Sequence, residues 1–149
     1  MRKIRVLFLC TGNSARSQMA EGWLRQLGGD RFDVHSAGTE PKDQVNPVAI
    51  QAMAEAGVDI SNQKPKTLRI FLSEPWDYII TVCDRANETC PVFPGDHERV
   101  HWSFEDPAAA IGTDIERLTV FRRVRGEIAQ RIRLFVNMEN HRLAEGRVR

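Results

Sequence analysis

The chain has 149 residues, of which 42% are hydrophobic, and a formal net charge of +1. That length and composition suit one domain, residues 1–149, with a real core, and the near-neutral balance excludes a bulk electrostatic footprint for nucleic acid. No apolar run approaches the roughly 20 residues that span a bilayer, so no membrane partner is expected.

The N-terminus, M-R-K-I-R-V-L-F-L-C, is basic and then apolar, as a secretory signal is. Its apolar stretch is short, however, and runs into C-T-G-N-S rather than a small-residue cleavage site. It reads as a buried strand over Lys3–Leu9, and residence in the cytoplasm follows as the default. Gly12 and Asn13 mark a turn, after which Met19, Ala20, Trp23, Leu24 and Leu27 recur at helical spacing until Gly28-Gly29 stops them. Phe32–Ser36 alternates like a strand. Asn46-Pro47 opens a helix in the favoured order of cap then proline, with Val48, Ala49, Ala52, Met53 and Ala56 on one face and Gly57 at its end.

Leu68–Leu72 reads as a short helix, Trp76–Val82 as a strand ending at Cys83, and Val100–Phe104 as another short strand. Asp114 is the expected cap of a long helix that turns Ile115, Leu118, Phe121, Val124, Ile128, Ile132 and Phe135 toward the core. Gly126 within it costs about 1 kcal/mol relative to alanine, which a buried face absorbs. Arg122, Arg123, Arg125, Arg131, Arg133, Arg142, Arg147 and Arg149 crowd the last third and read as a solvated helix face and tail. Strands alternate with helices throughout. The expected fold class is therefore α/β, a four-stranded parallel sheet with helices on both faces, which binds ligands beyond the carboxyl ends of its strands.

Residues 10–17, C-T-G-N-S-A-R-S, lie between the first strand and the first helix. Backbone N–H groups of Thr11, Gly12, Asn13, Ser14 and Ala15 can turn inward around a tetrahedral anion, and Gly12 and Asn13 tolerate the positive φ that such a nest requires. The helix start adds its positive end, and Arg16 adds a planar fork for two oxygens. The same field is expected to make Cys10 a thiolate nucleophile, with Ser17 donating a hydrogen bond to it. Displacement at such an anion needs an acid for the departing oxygen. Asp106, in Asp106-Pro107 after the last strand, stands at the right end of the sheet to supply it, although Asp-Pro is also an ordinary turn signal.

Three cysteines, an odd number without a signal peptide, argue against a structural disulfide framework. Cys83 ends a strand that lies about 5 Å from the first if the two are neighbours, near the rim of the Cys10 loop. Cys90 follows in C-D-R-A-N-E-T-C-P, a polar segment that is either a helical turn or a mobile loop. A helix would hold Cys83 and Cys90 about 10 Å apart, so a disulfide between them requires the segment to rearrange. His35, His97, His101 and His141 show no metal-ligand spacing, and no metal or cofactor is expected. Trp23, Trp76 and Trp102 read as core.

C-T-G-N-S-A-R-S-Q-M-A-E-G, S-A-G at 36–38, N-P at 46–47, D-I-S-N at 59–62, C-x6-C at 83–90 and D-P at 106–107 together resemble the thioredoxin-coupled arsenate reductases. These share the low-molecular-weight protein tyrosine phosphatase fold. The resemblance runs over nearly the whole chain, and the Cys83/Cys90 pair is what separates the reductases from the wider superfamily. It implies that Cys10 attacks arsenate while Asp106 protonates the leaving oxygen. Cys83 then attacks the Cys10 adduct with release of arsenite, and Cys90 attacks Cys83. Thioredoxin reduces the Cys83–Cys90 disulfide. The same reading expects a monomer. Some relatives bind potassium through residues matching Asn13, Glu21 and Ser36. Here the adjoining stretch is Gln63-Lys64-Pro65-Lys66, so a lysine ammonium is expected in place of the ion.

Three rivals are weaker. A phosphatase needs neither Cys83 nor Cys90, and the single tyrosine, Tyr78, lies inside a predicted strand rather than at a phosphotyrosine entrance. A trivalent-arsenic or redox sensor needs no anion nest. A reductase served by glutathione and glutaredoxin needs no internal dithiol.

Overall fold

The structure is a computed structural model and describes residues 2–146. Four parallel strands, β1 (Ile4–Cys10), β2 (Phe32–Gly38), β3 (Tyr78–Thr81) and β4 (Glu98–His101), form one sheet in the order β2-β1-β3-β4. β1 is central and pairs from Ile4 opposite Phe32 to Cys10 opposite Gly38, with Val6 opposite Tyr78 on its other side. The helices are α1 (Arg16–Gly28), α2 (Pro47–Glu55), α3 (Asp84–Thr89) and α4 (Asp114–Ala144). Among the described residues no helix is long and apolar enough to cross a membrane.

The pleat of β1 divides the core. Val6, Phe8 and Cys10 face a large apolar layer shared with α1, α2 and α4, whereas Leu7 and Leu9 face a smaller one. Helical cover is uneven. The smaller layer carries no long helix and is closed by a 3-10 turn at Leu68–Phe71, by Trp76 and by Phe93. Each fully buried side chain such as Phe8 or Phe121 contributes about 1.5–3 kcal/mol of burial.

Several expected boundaries move. β3 is shorter than Trp76–Val82 because Trp76 turns into the smaller layer. Its Nε1 donates to the Phe71 carbonyl at 3.0 Å, and the Arg5 guanidinium lies 4.3 Å over its ring. β4 occupies Glu98–His101 rather than Val100–Phe104. Trp102 leaves the sheet to pack against Phe8 and Phe135, which carries the following residues toward Cys10. Thr113, not Asp114, caps α4. Its hydroxyl accepts from Glu116 N while Glu116 reaches back to Thr113 N, a reciprocal box that leaves Asp114 inside the first turn. Ile115 is 75% exposed instead of core, and full burial along α4 begins only at Phe121. The polar segment after Cys83 forms a helix, α3, in which only Ala86 is buried.

The arginines do more than solvate a face. Arg122 and Arg125 reach Glu55 on α2, and Arg131 and Arg133 lie over Trp102 and Trp23. Arg147 and Arg149 lie outside the described residues.

Candidate active site

β1 delivers Cys10 to the carboxyl edge of the sheet, and α1 starts six residues later at Arg16. Between them the chain wraps into a cradle, and its geometry is enforced from outside. Five consecutive carbonyls are each claimed by an N–H group. Cys10 O takes Thr39 N (3.2 Å), Thr11 O takes Glu40 N (2.9 Å), Gly12 O takes Lys42 N (2.9 Å) and Ser14 O takes Asn46 N (2.8 Å). Asn13 O takes the Gln18 side-chain amide at 2.9 Å. With these carbonyls engaged, the N–H groups of residues 12–16 have no acceptor among the described residues, and Gly12, Ser14, Ala15 and Arg16 line a cleft.

Asn13 is the only non-glycine with positive φ (48°) among the described residues, and its side chain locks that conformation. Nδ2 donates to Ser17 Oγ (2.8 Å) and Ser36 Oγ (2.9 Å), and Oδ1 accepts from Lys66 N (2.9 Å). Gly12 does not take the positive φ expected of it. Its missing side chain instead admits the Lys42 methylenes, which would stand 3.2–3.4 Å from a Cβ. The Ser17 hydroxyl supports Asn13, so its placement serves the loop as well as any sulfur.

Gly38, the last residue of S-A-G at 36–38, is pressed against the cradle backbone. A Cβ there would meet the Thr11 carbonyl at 2.6 Å and Asn13 N at 3.2 Å. Gly38→Ala is therefore expected to cost about 1–3 kcal/mol of stability and to weaken inorganic phosphate binding about tenfold or more. Thermal melting and titration calorimetry check the two effects.

A cleft of about 640 Å³ opens over the cradle, and Cys10, Arg16, Cys83 and Asp106 all line it. Arg16 Nη1 donates to the Phe104 carbonyl at 3.0 Å, and Nη2 stands 3.9 Å from Asp106 Oδ2. Asp106 Oδ1 accepts from Ala108 N, opening the 3-10 turn Pro107–Ala109, so the turn signal and the placement over the cleft are both present.

Cys83 is buried at the head of α3, with its sulfur 3.4 Å from Thr11 Oγ1. Cys10 and Cys83 face one another closely enough to share a hydrogen bond, and all three cysteines are free. The two facing thiols titrate as a pair, with opposite directions. The hydrogen bond from Cys10 comes first, and Thr11, the Ala86 N–H and Arg16 add to it. Together they outweigh burial and draw Cys83 down to about 5. The same bond and burial push Cys10 up, despite Arg16. Two adjacent buried sulfurs thus hold a single negative charge. Cys90 lies at the far end of α3, half-buried against the smaller layer, and burial raises its thiol.

Residues 5–146 match the low molecular weight phosphotyrosine protein phosphatase family. The chain belongs to this family. It is 53% identical to an arsenate reductase of Halalkalibacterium halodurans over 91% of this chain and 96% of that protein. A solved arsenate reductase in its oxidised state superposes with a TM-score of 0.77 at 34% identity, covering 90% of this chain and 97% of that one. A thioredoxin-dependent arsenate reductase of Corynebacterium glutamicum gives a TM-score of 0.69 at 29% identity, over 92% of this chain and 63% of that one.

The cation position seen in some members of the family does not fit a metal ion here. Glu21, buried in α1, accepts from Ser36 Oγ at 2.6 Å and pairs with Arg25 at 2.5 Å. Lys66 Nζ stands 3.9 Å from the same carboxylate and donates to the Lys64 carbonyl at 2.9 Å. The carboxylate that would hold an ion is already matched by two side-chain cations. Activity and melting temperature are expected to be the same in potassium and sodium chloride at equal ionic strength. A selective rise with potassium would overturn the substitution.

Proposed function

We propose that the protein reduces arsenate to arsenite through a Cys10–Cys83–Cys90 relay that thioredoxin regenerates in the cytoplasm. The observation that carries this reading is Cys83, whose sulfur sits at the rim of the anion cradle beside Cys10 and Thr11. A phosphatase has no use for a second thiol there. The names of the three similar proteins described above, each an arsenate reductase, support the same substrate.

The cradle N–H groups and Arg16 hold the arsenate oxygens. Cys10 attacks arsenic as its proton passes to Cys83, and Asp106 protonates the departing oxygen, which leaves as water. Cys83 returns its proton to an arsenic oxygen and attacks the Cys10 sulfur. The S–As bond breaks with its electron pair on arsenic, which leaves as arsenite, and a Cys10–Cys83 disulfide remains. Two thiols have supplied the two electrons. Cys90 then attacks Cys83 and expels the Cys10 thiolate. The resulting Cys83–Cys90 disulfide takes two electrons from thioredoxin. The name of the Corynebacterium neighbour supports that reductant.

An assay coupling arsenate to NADPH loss through thioredoxin and thioredoxin reductase tests this. Cys10→Ser and Cys83→Ser are both expected to abolish turnover, and full turnover by Cys83→Ser would reject the relay. Slow hydrolysis of small aryl phosphates is compatible with the cradle, which offers the same donors to phosphate and arsenate. Selective phosphotyrosine recognition is not supported, since Tyr78 is buried and hydrogen-bonded to Glu139 away from the cleft.

A further inference from the structure

α3 separates Cys83 from Cys90, and what fastens it is mostly polar. Of its residues only Ala86 is buried. A helix of six residues has little stability of its own. It is tied instead to the sheet edge. His101, at the end of β4, bridges two elements. Its Nδ1 is 2.7 Å from the hydroxyl of Thr81, a fully buried residue of β3, and its Nε2 is 2.9 Å from Asp84 Oδ1 at the first turn of α3. Ser103 Oγ donates to the same Asp84 oxygen at 3.1 Å. Further along α3, Arg99 Nη2 donates to the Asn87 carbonyl at 2.5 Å, and Thr81 Oγ1 reaches Asn87 Oδ1 at 3.3 Å.

We propose that the Thr81–His101–Asp84 chain positions the redox helix. It holds α3, and with it Cys83, against the Cys10 cradle in the reduced protein, and it must part before Cys90 can reach Cys83. Asp84 adjoins Cys83 in sequence, so fixing its carboxylate fixes the backbone that carries the nucleophilic sulfur. Thr81 anchors the imidazole from the buried side, which aims Nε2 at Asp84 without a search through ring orientations. Asp84 itself is 74% exposed, so the chain contributes direction and local order more than Coulomb energy. That modest strength suits a contact that breaks in each cycle. His101, Ser103 and Arg16 all favour the ionised carboxylate, which is held below its ordinary range.

The inference rests on the three-cysteine relay, and its test separates the two. His101→Ala, Asp84→Ala and the conservative Asp84→Asn are compared with wild type in three measurements. Calorimetry with inorganic phosphate is expected to show an unchanged cradle in His101→Ala. Rapid-quench single-turnover arsenite release, which needs Cys83 in place, is expected to slow about three- to tenfold in the alanine variants and to recover partly in Asp84→Asn. Transfer of the disulfide from Cys10–Cys83 to Cys83–Cys90, followed by thiol trapping and mass spectrometry, is expected to accelerate. Amide exchange over residues 84–89 of the reduced protein should speed up in parallel. A merely structural role would slow both chemical steps together, and that result, or no change in either, overturns the proposal. If wild type forms no Cys83–Cys90 disulfide, the relay itself fails, and unchanged amide exchange in the variants then overturns the positioning role independently.

Discussion

Cys90→Ser is expected to release about one arsenite per protein molecule and then stop, with steady-state turnover down by a factor of about 100 or more. The first two chemical steps need only groups that line the cleft, namely Cys10, Arg16, Asp106 and Cys83. Cys90 is not among them. It sits past the end of α3, half-buried against the smaller apolar layer, with its thiol raised by burial. In the proposed relay it is therefore spared from the first attack and acts only after α3 opens. Without it the Cys10–Cys83 disulfide has no internal exit. Acid quench and arsenite quantitation over a range of protein concentrations read the stoichiometry. Sustained turnover by Cys90→Ser would show that an external thiol resolves Cys10–Cys83 directly, and would remove Cys90 from the relay.

Arg16→Lys is expected to lower kcat/KM for arsenate by a factor of about 10² to 10³, although the charge is kept. The guanidinium donates to the Phe104 carbonyl at 3.0 Å and stands 3.9 Å from Asp106. Lysine offers a single ammonium on a flexible stem. It can neutralise the anion, but it cannot grip two oxygens while holding the Asp106 loop over them. The loss should fall on kcat more than KM, since the fork is best matched to the charge that develops on the oxygens as the bond to the departing oxygen breaks. Steady-state kinetics on arsenate and the pH dependence of kcat separate that effect from simple loss of affinity. A variant altered only in KM would reduce Arg16 to a binding residue.

How much of this was legible in the chain differs from element to element. The strand-turn-helix at 4–28 announced itself through an apolar run, a glycine and helical spacing, because those patterns are set by neighbours in sequence. The ends of β3 and β4 were not legible. Trp76 and Trp102 continue their strands in composition, and only the layers they fill show that they leave the sheet. Ile115 reads as core for the same reason in reverse, since a helical period cannot reveal where along the helix burial begins. In the cradle, Asn13, Arg16 and Cys10 were apparent from one octapeptide. The five engaged carbonyls were not, because their partners come from Gln18, residues 39–42 and Asn46.

The sequence by itself determined the α/β class, the alternation of strand with helix and the octapeptide that carries Cys10 and Arg16, since each is written in patterns of neighbouring residues. The tertiary structure decided that two thiols titrate as a pair beside the cradle and that α3 is tied to the sheet edge. Those depend on Cys83 facing Cys10 across two paired strands, and on His101 reaching from β4 to α3. Groups distant in the chain set one another's protonation and position only once folding has brought them within hydrogen-bond range and out of water, where such interactions are strong enough to matter.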